Sequence, residues 1–294
     1  MKISKQVYQI KVYFHVTEEI ERFVNVYVIE GKKGCYLIDT GVAGAEKLIK
    51  KSMNRFGKQN CDLKAIFLTH SHPDHMGAAA YIKKRTGAQL FGSSREQGWI
   101  EDIDRQFAAR PIPNFYKLVN DSVHLDEKLE GGEVIRLEEG VTIRPIATPG
   151  HSAGSMSYFF EEEQILFTGD AVPIPGDIPI YTSYRQSMES LDRIDRLQQV
   201  HLYCSAWADT WALAEGRKRI AEAREFLKGI HEIVGRVLAK NEDLENAQVF
   251  KRVCEKMGID GLKANPLFRT SIYANIEEWK GDGLGNREPQ MARG

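Results

Sequence analysis

The sequence has few cysteines, no excess of charge of either sign and no long uncharged apolar run. Its four cysteines lie far apart and form no C-x-x-C pair, which excludes a small scaffold held together by disulfides. The 40 Lys and Arg residues are balanced by 41 Asp and Glu residues, so no overall field attracts nucleic acid or anionic lipid. No apolar stretch of the sequence is long enough to span a bilayer. We therefore expect neither a nucleic acid nor a membrane as a partner.

We also expect no export signal in the first residues of this sequence. Lys11 and His15 interrupt the segment in which a signal peptide would need a continuous apolar run. We interpret the four cysteines as reduced thiols, which is the usual state of thiols in a cytoplasm. Together these features predict a cytoplasmic protein. They leave its oligomeric state open, and a homo-oligomer is compatible with them.

The predicted elements change in character along the 294 residues. Strands and helices alternate in the first third, which is typical of a layered α/β domain. From Glu133 onward several strands follow one another, and amphipathic helices return after residue 187. Strands are predicted at 24–29, 34–39, 63–68, 88–91, 134–137, 141–147, 155–160, 165–168 and 200–203, and helices at 43–56, 76–85, 211–238 and 247–256, with a further helix capped by Ser187.

Two polar segments are expected to shape a substrate pocket. Residues 94–120 have weak periodicity and contain R-P-I-P, which predicts a short helix and an irregular excursion over the surface. Residues 171–186 form a second such segment. Trp99 could roof the pocket, and it could equally be an ordinary core residue.

The most informative motif follows the third predicted strand. Residues 69–75 read T-H-S-H-P-D-H and hold three histidines and a carboxylate. In an extended loop the side chains of His70 and His72 point to the same side, so both can bind one cation. The turn that follows presents Asp74 and His75 from another direction, within reach of a second cation. Because imidazole and carboxylate suit zinc and iron, a metal site explains this pattern better than a chance polar loop does.

Two further motifs place ligand-type residues at the ends of predicted strands. T-P-G-H at residues 148–151 ends on His151, and T-G-D at residues 168–170 ends on Asp170. An imidazole and a second carboxylate therefore become available from the later half of the chain, and both support the metal interpretation.

These motifs, together with D-T-G at residues 39–41, resemble those of the metallo-β-lactamase superfamily. The similarity covers roughly the first two thirds of the chain. It implies an α/β fold, a four-layer αβ/βα sandwich with metals in a cleft at one edge of the sheets. It also implies a single domain over residues 1–294, with a C-terminal helical segment that begins at about residue 211.

The resemblance also implies metal ligands by position. The implied set is His70, His72 and His151 for a first metal, Asp74 and His75 for a second, and Asp170 as the bridge between them. Asp39 would orient the ligands from behind. The implied cofactor is two divalent metal ions, with zinc preferred and iron or manganese as alternatives. Tyr184 lies where the superfamily often places pocket residues, which makes it a candidate substrate contact.

One position departs from the superfamily pattern. The fifth motif there supplies a final histidine to the second metal, and the equivalent residue here is Trp207, whose indole cannot ligate a metal. Asp209 is the nearest carboxylate that could replace this histidine, and Cys204 is a weaker candidate. Alternatively, Asp209 caps the helix predicted from residue 211. The second metal would accordingly be weak, differently ligated or absent.

The predicted chemistry is hydrolysis. A cation held by neutral histidines and a carboxylate lowers the pKa of its bound water to about 7 and so yields hydroxide at neutral pH. Asp74 would orient that water or pass a proton to the leaving group, which makes it the candidate catalytic residue. The predicted substrate is a small-molecule ester, thioester or lactone, whose developing negative charge the metals would stabilise.

Two other functions stay open. One is a mononuclear iron oxygenase of the persulfide dioxygenase kind, in which two histidines and Asp170 form a facial triad. The other is a ligand-binding protein that keeps the fold and the metal but has no turnover. The departure at Trp207 favours both alternatives, whereas the intact Asp74 and Asp170 count against the ligand-binding protein.

Overall fold

Two six-stranded β-sheets lie at the centre of the computed structural model, which describes residues 1–57, 62–240, 244–259 and 266–281. The first sheet consists, in spatial order, of β1 (Val7–His15), β2 (Glu21–Glu30), β3 (Cys35–Ile38), β4 (Leu63–Phe67), β5 (Gln89–Ser93) and β6 (Glu127–Leu129). The first three strands are antiparallel, and β3 to β6 are parallel.

The second sheet is mostly antiparallel. In spatial order it consists of β12 (Trp211–Ala212), β11 (Leu202–Ser205), β10 (Ile165–Gly169), β9 (Met156–Phe160), β8 (Val141–Ala147) and β7 (Ile135–Glu138). Within this sheet β10 and β11 form the parallel pair, so their carboxyl ends lie side by side.

Helices cover the outer faces of both sheets. The described residues form α1 (Ala45–Arg55), α2 (Pro73–Met76), α3 (Ala79–Thr86), α4 (Gln97–Ile100), α5 (Ile103–Ala109), α6 (Phe115–Leu118), α7 (Tyr184–Asp195), α8 (Leu213–Ala239), α9 (Asn246–Met257) and α10 (Pro266–Gly281). A 3₁₀ turn, Ser94–Glu96, joins β5 to α4. Apolar residues three to four positions apart give each long helix one buried face, as in the stripe of Ile220, Ala223 and Leu227 on α8.

Apolar side chains fill the space between the layers. Between the sheets, Tyr27 contacts Phe167 with ring centroids 5.1 Å apart, and Phe67 contacts Tyr158 at 5.3 Å. A second core lies between the first sheet and α1 to α6, and a third lies between the second sheet and α7 and α8. The predicted α/β class and four-layer sandwich are therefore confirmed. A fourth cluster joins the end of α8 to α9 and α10.

Most predicted elements are present, and the differences have local causes. Strand β1 was not predicted because Gln9 and Lys11 interrupt its apolar run, yet it pairs with β2 along its whole length. The helix predicted at 76–85 corresponds to α3, which begins at Ala79, and a separate short helix, α2, precedes it in the histidine loop. Ser183 rather than Ser187 caps α7, where its hydroxyl oxygen accepts a hydrogen bond from the backbone of Gln186.

The cysteines differ partly from the expectation. Cys35 is disulfide-bonded, so the prediction of four reduced thiols is wrong for this residue. Cys204 and Cys254 are buried and are not disulfide-bonded, and Cys61 lies outside the described residues. Among the described residues, no helix combines the length and the apolar character that a membrane crossing requires.

Candidate metal centre

The strand ends that carry the predicted ligands meet at one edge of the two sheets. Asp39 and the loop that starts at Thr69 follow the parallel neighbours β3 and β4. His151 and Asp170 follow β8 and β10 of the second sheet. The backbone N–H of Met156 donates to the carbonyl of Thr69 at 2.8 Å and so joins the two sheets at this edge. Four distant segments of the chain therefore form one site.

Three histidine side chains, here called the histidine trio (His70, His72 and His151), converge on one point. Nδ1 of His72 lies 2.9 Å from Nε2 of His70 and 2.8 Å from Nε2 of His151. Nδ1 of His151 donates to the carbonyl of Ile180 at 2.8 Å, which leaves a lone pair on its Nε2. A single N–H on His72 cannot donate fully to both neighbouring nitrogens. A cation at this point would instead accept one lone pair from each of the three rings.

Asp170 lies between the histidine trio and His75. Its Oδ2 is 3.3 Å from Nε2 of His151, and its Oδ1 is 3.2 Å from Nε2 of His75. Oδ2 of Asp74 lies 3.6 Å from the same nitrogen of His75. The carboxylate of Asp170 therefore spans two groups of ligand atoms, which is the geometry expected of a bridging ligand.

The donor atoms fit divalent cations. Two sets of ligand atoms lie within 4.8 Å of one another, the first from the histidine trio and the second from His70, His75 and Asp170. Within the described residues, Nε2 of His75 and Oδ1 of Asp170 are buried and face each other at 3.2 Å without the alignment of a hydrogen bond, and neither has another hydrogen-bond partner. Such buried polar atoms indicate a bound ion or water, and imidazole with carboxylate is a common ligand set for zinc.

Burial lowers the pKa values of all three histidines of the trio below the ordinary value for histidine. The neighbouring histidines lower the pKa of His70 further, and the guanidinium of Arg110 does the same for His72. The three rings are therefore neutral at neutral pH, which is the form that binds a metal.

The carboxylates shift His75 in the opposite direction. Burial lowers the pKa of His75, but three nearby carboxylates, Asp170 foremost, raise it well above its ordinary value. Burial would raise the pKa of Asp170, yet His75 and His151 hold it below its usual range. The negative charge that favours a proton on His75 would equally favour a metal cation in its place. Burial also raises the pKa of Asp74, which suits a group that accepts and releases a proton.

Asp39 orients His75 from behind. Its Oδ2 lies 2.8 Å from Nδ1 of His75, and its two oxygens accept hydrogen bonds from the backbone N–H and the hydroxyl of Thr69, each at 2.8 Å. With Nδ1 engaged in this way, Nε2 of His75 faces Asp170. Asp39 has a φ of 59°, a left-handed conformation that aspartate tolerates better than most residues. The structure places Asp39 where the resemblance predicted an orienting residue.

Glu96 is a buried carboxylate that the sequence reasoning missed. One of its oxygens accepts hydrogen bonds from the backbone and the hydroxyl of Ser71, which lies inside the first histidine loop. The other accepts hydrogen bonds from the hydroxyl of Ser152 and the N–H of Gly154, both at 2.7 Å. Glu96 therefore connects the loop of the first motif to the loop that follows His151. Its only sequence signal is an acidic residue shortly after a strand, a pattern that ordinary loops share.

A cavity of about 280 Å³ opens beside the histidine trio. His72 and His151 form part of its lining, so the cavity leads to the candidate metal ligands. Trp99 and Tyr181 line it from the two segments that were predicted to shape a pocket, and Leu267 lines it from α10. Its lining also includes Arg110, which the sequence reasoning did not single out.

Asp209 does not join the cluster. Its side chain is 85% exposed and pairs with Lys11 at 3.4 Å. It does not cap a helix either, because α8 begins at Leu213 with Ala212 as its N-cap residue. Both interpretations of Asp209, as a metal ligand and as a helix cap, are therefore corrected.

Two other candidates also lie elsewhere. Cys204 is buried in the core between the sheets, where burial raises its pKa well above the ordinary value. Tyr184 stacks on His231 with ring centroids 3.9 Å apart and is not among the residues that line the cavity. Its prediction as a substrate contact is corrected to a packing role between α7 and α8.

Trp207 occupies the place of the expected fifth-motif histidine. Its ring centroid lies 6.4 Å from that of His75, and the guanidinium of Arg22 lies over its ring at 5.1 Å. The indole is close enough to Asp170 to lower the pKa of that carboxyl. A second cation here would therefore face an indole on the side where the superfamily pattern has a ligand.

Comparisons with known proteins agree with this architecture. A sequence profile of the metallo-beta-lactamase superfamily matches residues 20–205. The hydroxyacylglutathione hydrolase GloC of Haemophilus influenzae is 30% identical over 144 residues, which are 49% of this chain and 63% of that protein. A hydroxyacylglutathione hydrolase of Pseudomonas putida is 26% identical over 261 residues, 85% of this chain and 84% of that protein. Several relatives, GloC included, are matched over only 50% to 63% of their own length.

Solved structures share the fold. A metallo-beta-lactamase family protein from Thermus thermophilus aligns with a TM-score of 0.73 at 22% identity, over 96% of both chains. A beta-lactamase domain protein from Burkholderia ambifaria aligns with a TM-score of 0.76 at 17% identity, over 96% of this chain and 89% of that one. The profile match covers more than half of the chain and includes the loops of the candidate metal centre. This chain belongs to the metallo-β-lactamase superfamily.

Proposed function

We propose that the protein is a metal-dependent hydrolase of a small-molecule ester-type bond, with thioesters as its preferred substrates. The observation that carries this proposal is the convergence of the histidine trio within 2.9 Å, beside the carboxylate of Asp170. The relatives named hydroxyacylglutathione hydrolase support a thioester, because hydroxyacylglutathione is one. Oxygen esters and lactones belong to the same reaction class.

The proposed cofactor is a pair of divalent cations, with zinc preferred to iron or manganese. The proposed ligands are the histidine trio for the first cation, Asp74 and His75 for the second, and Asp170 for both. When bound, such cations supply Lewis acidity and lower the pKa of water, so that hydrolysis can proceed at neutral pH. Because Trp207 cannot act as a ligand, we propose that the second cation binds more weakly than the first.

The protein's own groups orient the site and move protons. Asp74 would take a proton from the attacking water at a carboxylate oxygen and deliver it to the leaving sulfur, so that water is added across the C–S bond to give an acid and a thiol. Its raised pKa supports this role. Asp39 would keep Nε2 of His75 directed toward Asp170 throughout.

A mononuclear iron oxygenase is the second candidate. The observation that favours it is Trp207, since an indole at the second-metal position suits a centre with one metal. The facial triad would then consist of two histidines of the trio and Asp170, whose Oδ2 lies 3.3 Å from His151.

Metal analysis combined with a substrate panel tests these proposals. The purified protein is assayed for bound metals, for hydrolysis of S-lactoylglutathione, phenyl acetate and γ-butyrolactone, and for oxygen uptake with glutathione persulfide. Bound zinc or manganese with hydrolysis, fastest for the thioester, is the expected result. Iron with oxygen uptake and no hydrolysis would overturn the hydrolase in favour of the oxygenase. Bound metal without either reaction would indicate a ligand-binding protein.

A small-molecule substrate, without a nucleic-acid or membrane partner, remains part of the proposal. A cytoplasmic location also remains part of it, but it now rests on the sequence of the first residues and not on reduced thiols, because Cys35 is disulfide-bonded. Cell fractionation tests the location directly. Sedimentation analysis of the purified protein tests whether it forms a homo-oligomer.

A further inference from the structure

Three arginine side chains line the cavity beside the histidine trio: Arg95, Arg105 and Arg110. Within the part of the chain that the structure describes, none of the three guanidinium groups has a hydrogen-bond or ion-pair partner. Other arginines are paired, as Arg22 is with Asp177 and Arg224 with Asp192. The chain as a whole has a net charge of −1, so this accumulation of positive charge is local.

Arg110 connects this charge to the metal ligands. It is half-buried, whereas Arg95 and Arg105 are exposed. Its charge lowers the pKa values of His72 and Asp74, which places it within electrostatic reach of both. Burial lowers the pKa of Arg110 itself to about 10, so it remains a cation at neutral pH.

The carboxylate in the same cavity is already engaged. Both oxygens of Glu96 accept hydrogen bonds from serine and glycine donors, as described above. The remaining lining includes the apolar side chains of Trp99, Ile180 and Leu267. The cavity therefore combines an apolar wall with guanidinium groups that form no direct ion pair, although Asp74, Asp170 and Glu96 attract Arg110 electrostatically from a distance.

We propose that this cavity, here called the arginine pocket (Arg95, Arg105, Arg110, Trp99 and Leu267), binds an oxyanion group of the substrate, a carboxylate or a phosphate. Arginine presents its N–H groups as a planar fork that matches both groups. The apolar wall would hold the part of the substrate between the oxyanion and the scissile bond. This inference rests on the proposed hydrolase function and narrows its substrates to anionic thioesters or esters, with Arg110 as the main specificity determinant.

A series of aryl thioacetates that share the scissile bond and differ in their para substituent tests the proposal. The probes are neutral S-phenyl thioacetate, 4-(acetylthio)benzoate, 4-(acetylthio)phenyl phosphate and the cationic 4-(acetylthio)-N,N,N-trimethylanilinium. For each zinc-loaded protein, kcat/KM of every charged probe is divided by that of the neutral probe, so that general damage to the active site cancels. The variants are Arg110→Met, Arg110→Lys and, as the matched control, Arg136→Met, which removes an exposed arginine of β7 away from the cavity.

The wild-type protein is expected to prefer an anionic probe and to disfavour the cationic one. Arg110→Met should lower the anionic-to-neutral ratio by about 10- to 100-fold, the range for a hydrogen bond to a charged group, mainly through KM. Arg110→Lys should restore part of the ratio, and Arg136→Met should leave it unchanged. The anionic probe with the larger wild-type ratio shows whether the arginine pocket prefers a carboxylate or a phosphate. No anionic preference in the wild type, or an unchanged ratio in Arg110→Met, would overturn the proposal.

A binding measurement separates this inference from the hydrolase proposal. If no probe is hydrolysed, the proposed function fails, and calorimetric titration with 4-ethylbenzoate and with 4-ethylphenyl phosphate still tests the arginine pocket. Binding of either anion that Arg110→Met weakens about tenfold or more would support the pocket. Absence of binding, or equal binding to both proteins, would overturn it.

Discussion

Glu96 holds together two loops that supply the histidine trio, although it offers no ligand itself. Its oxygens accept hydrogen bonds from Ser71 on one side and from Ser152 and Gly154 on the other. In Glu96→Gln one carboxylate oxygen becomes an amide NH₂ group. That group would face hydrogen-bond donors and could not accept from them. We expect zinc affinity to fall about 10- to 100-fold, the usual effect of losing a partner behind a metal site. Competition with a chromophoric chelator measures this affinity.

Glu101→Gln is the matched control for this substitution. Glu101 also accepts a backbone hydrogen bond, from Leu125, but it contacts neither histidine loop. Glu101→Gln should therefore leave zinc affinity unchanged. Equal zinc affinity in both variants would show that Glu96 does not position the ligands.

Trp207 limits the second cation in this account. In Trp207→His an imidazole would replace the indole beside His75 and Asp170. Losing a residue that hydrogen-bonds to a metal ligand typically costs about 10- to 100-fold in metal affinity, so gaining a ligand should have at least as large an effect. The dissociation constant of the second zinc in a binding isotherm should therefore fall at least about tenfold. Trp207→Phe removes the indole N–H without adding a ligand and should not tighten that step. An isotherm of Trp207→His identical to that of Trp207→Phe would contradict this role of Trp207.

Helix α10 closes one side of the cavity and depends on close packing against α8. A Cβ atom on Gly235 of α8 would lie 2.4 Å from the ring of Trp279, whose N–H donates to the carbonyl of His231. Gly235→Ala should therefore lower the free energy of unfolding by about 1–3 kcal/mol, the usual cost of overpacking. Gly229→Ala, in the same helix, meets nothing within 4 Å and should raise it by up to about 1 kcal/mol. Urea denaturation measures both, and equal shifts would contradict this account.

The sequence pattern was sufficient to predict strands and helices in which buried residues recur at a regular spacing. The alternation at residues 141–147 predicted β8 with its observed bounds, and the apolar stripe after residue 211 predicted most of α8. Helix α10 was not predicted, although Pro266 precedes Phe268, Ile272 and Ile276 at helical spacing, because its buried face also contains polar residues, Ser271 and Asn275.

The site was predictable where a motif carried it and not where tertiary contacts did. The motifs contain every residue of the two candidate ligand sets, because ligand chemistry restricts the residue types. Glu96 acquires its role from contacts with segments distant in sequence, and the proposed role of Arg110 depends on a cavity that such segments line together. No local pattern records either arrangement. Asp209 was a candidate because it lies only two residues after Trp207. Its side chain nevertheless points to the surface and pairs with Lys11.

Metal binding should stabilise the whole molecule, because the ligands come from loops that follow both sheets. Zinc at 100 times its Kd would add about 2.7 kcal/mol to the free energy of unfolding. For a chain of this size that corresponds to an increase in Tm of roughly 4–5 °C, measured by calorimetry of the metal-stripped protein before and after zinc addition. Asp209→Ala should show the same increase, since its side chain is exposed. A Tm independent of zinc would contradict the proposed site.

Zinc bound per chain, measured by equilibrium dialysis and elemental analysis, tests the central claim most directly. The comparison is between metal-stripped wild type, His72→Ala and Asp170→Ala, each with its fold verified by circular dichroism. The wild type should bind at least one zinc per chain, and both variants should lose it together with any hydrolytic activity, because each removes a ligand atom of the cluster. Absence of zinc from the wild type, or full zinc occupancy in either variant, would contradict the account.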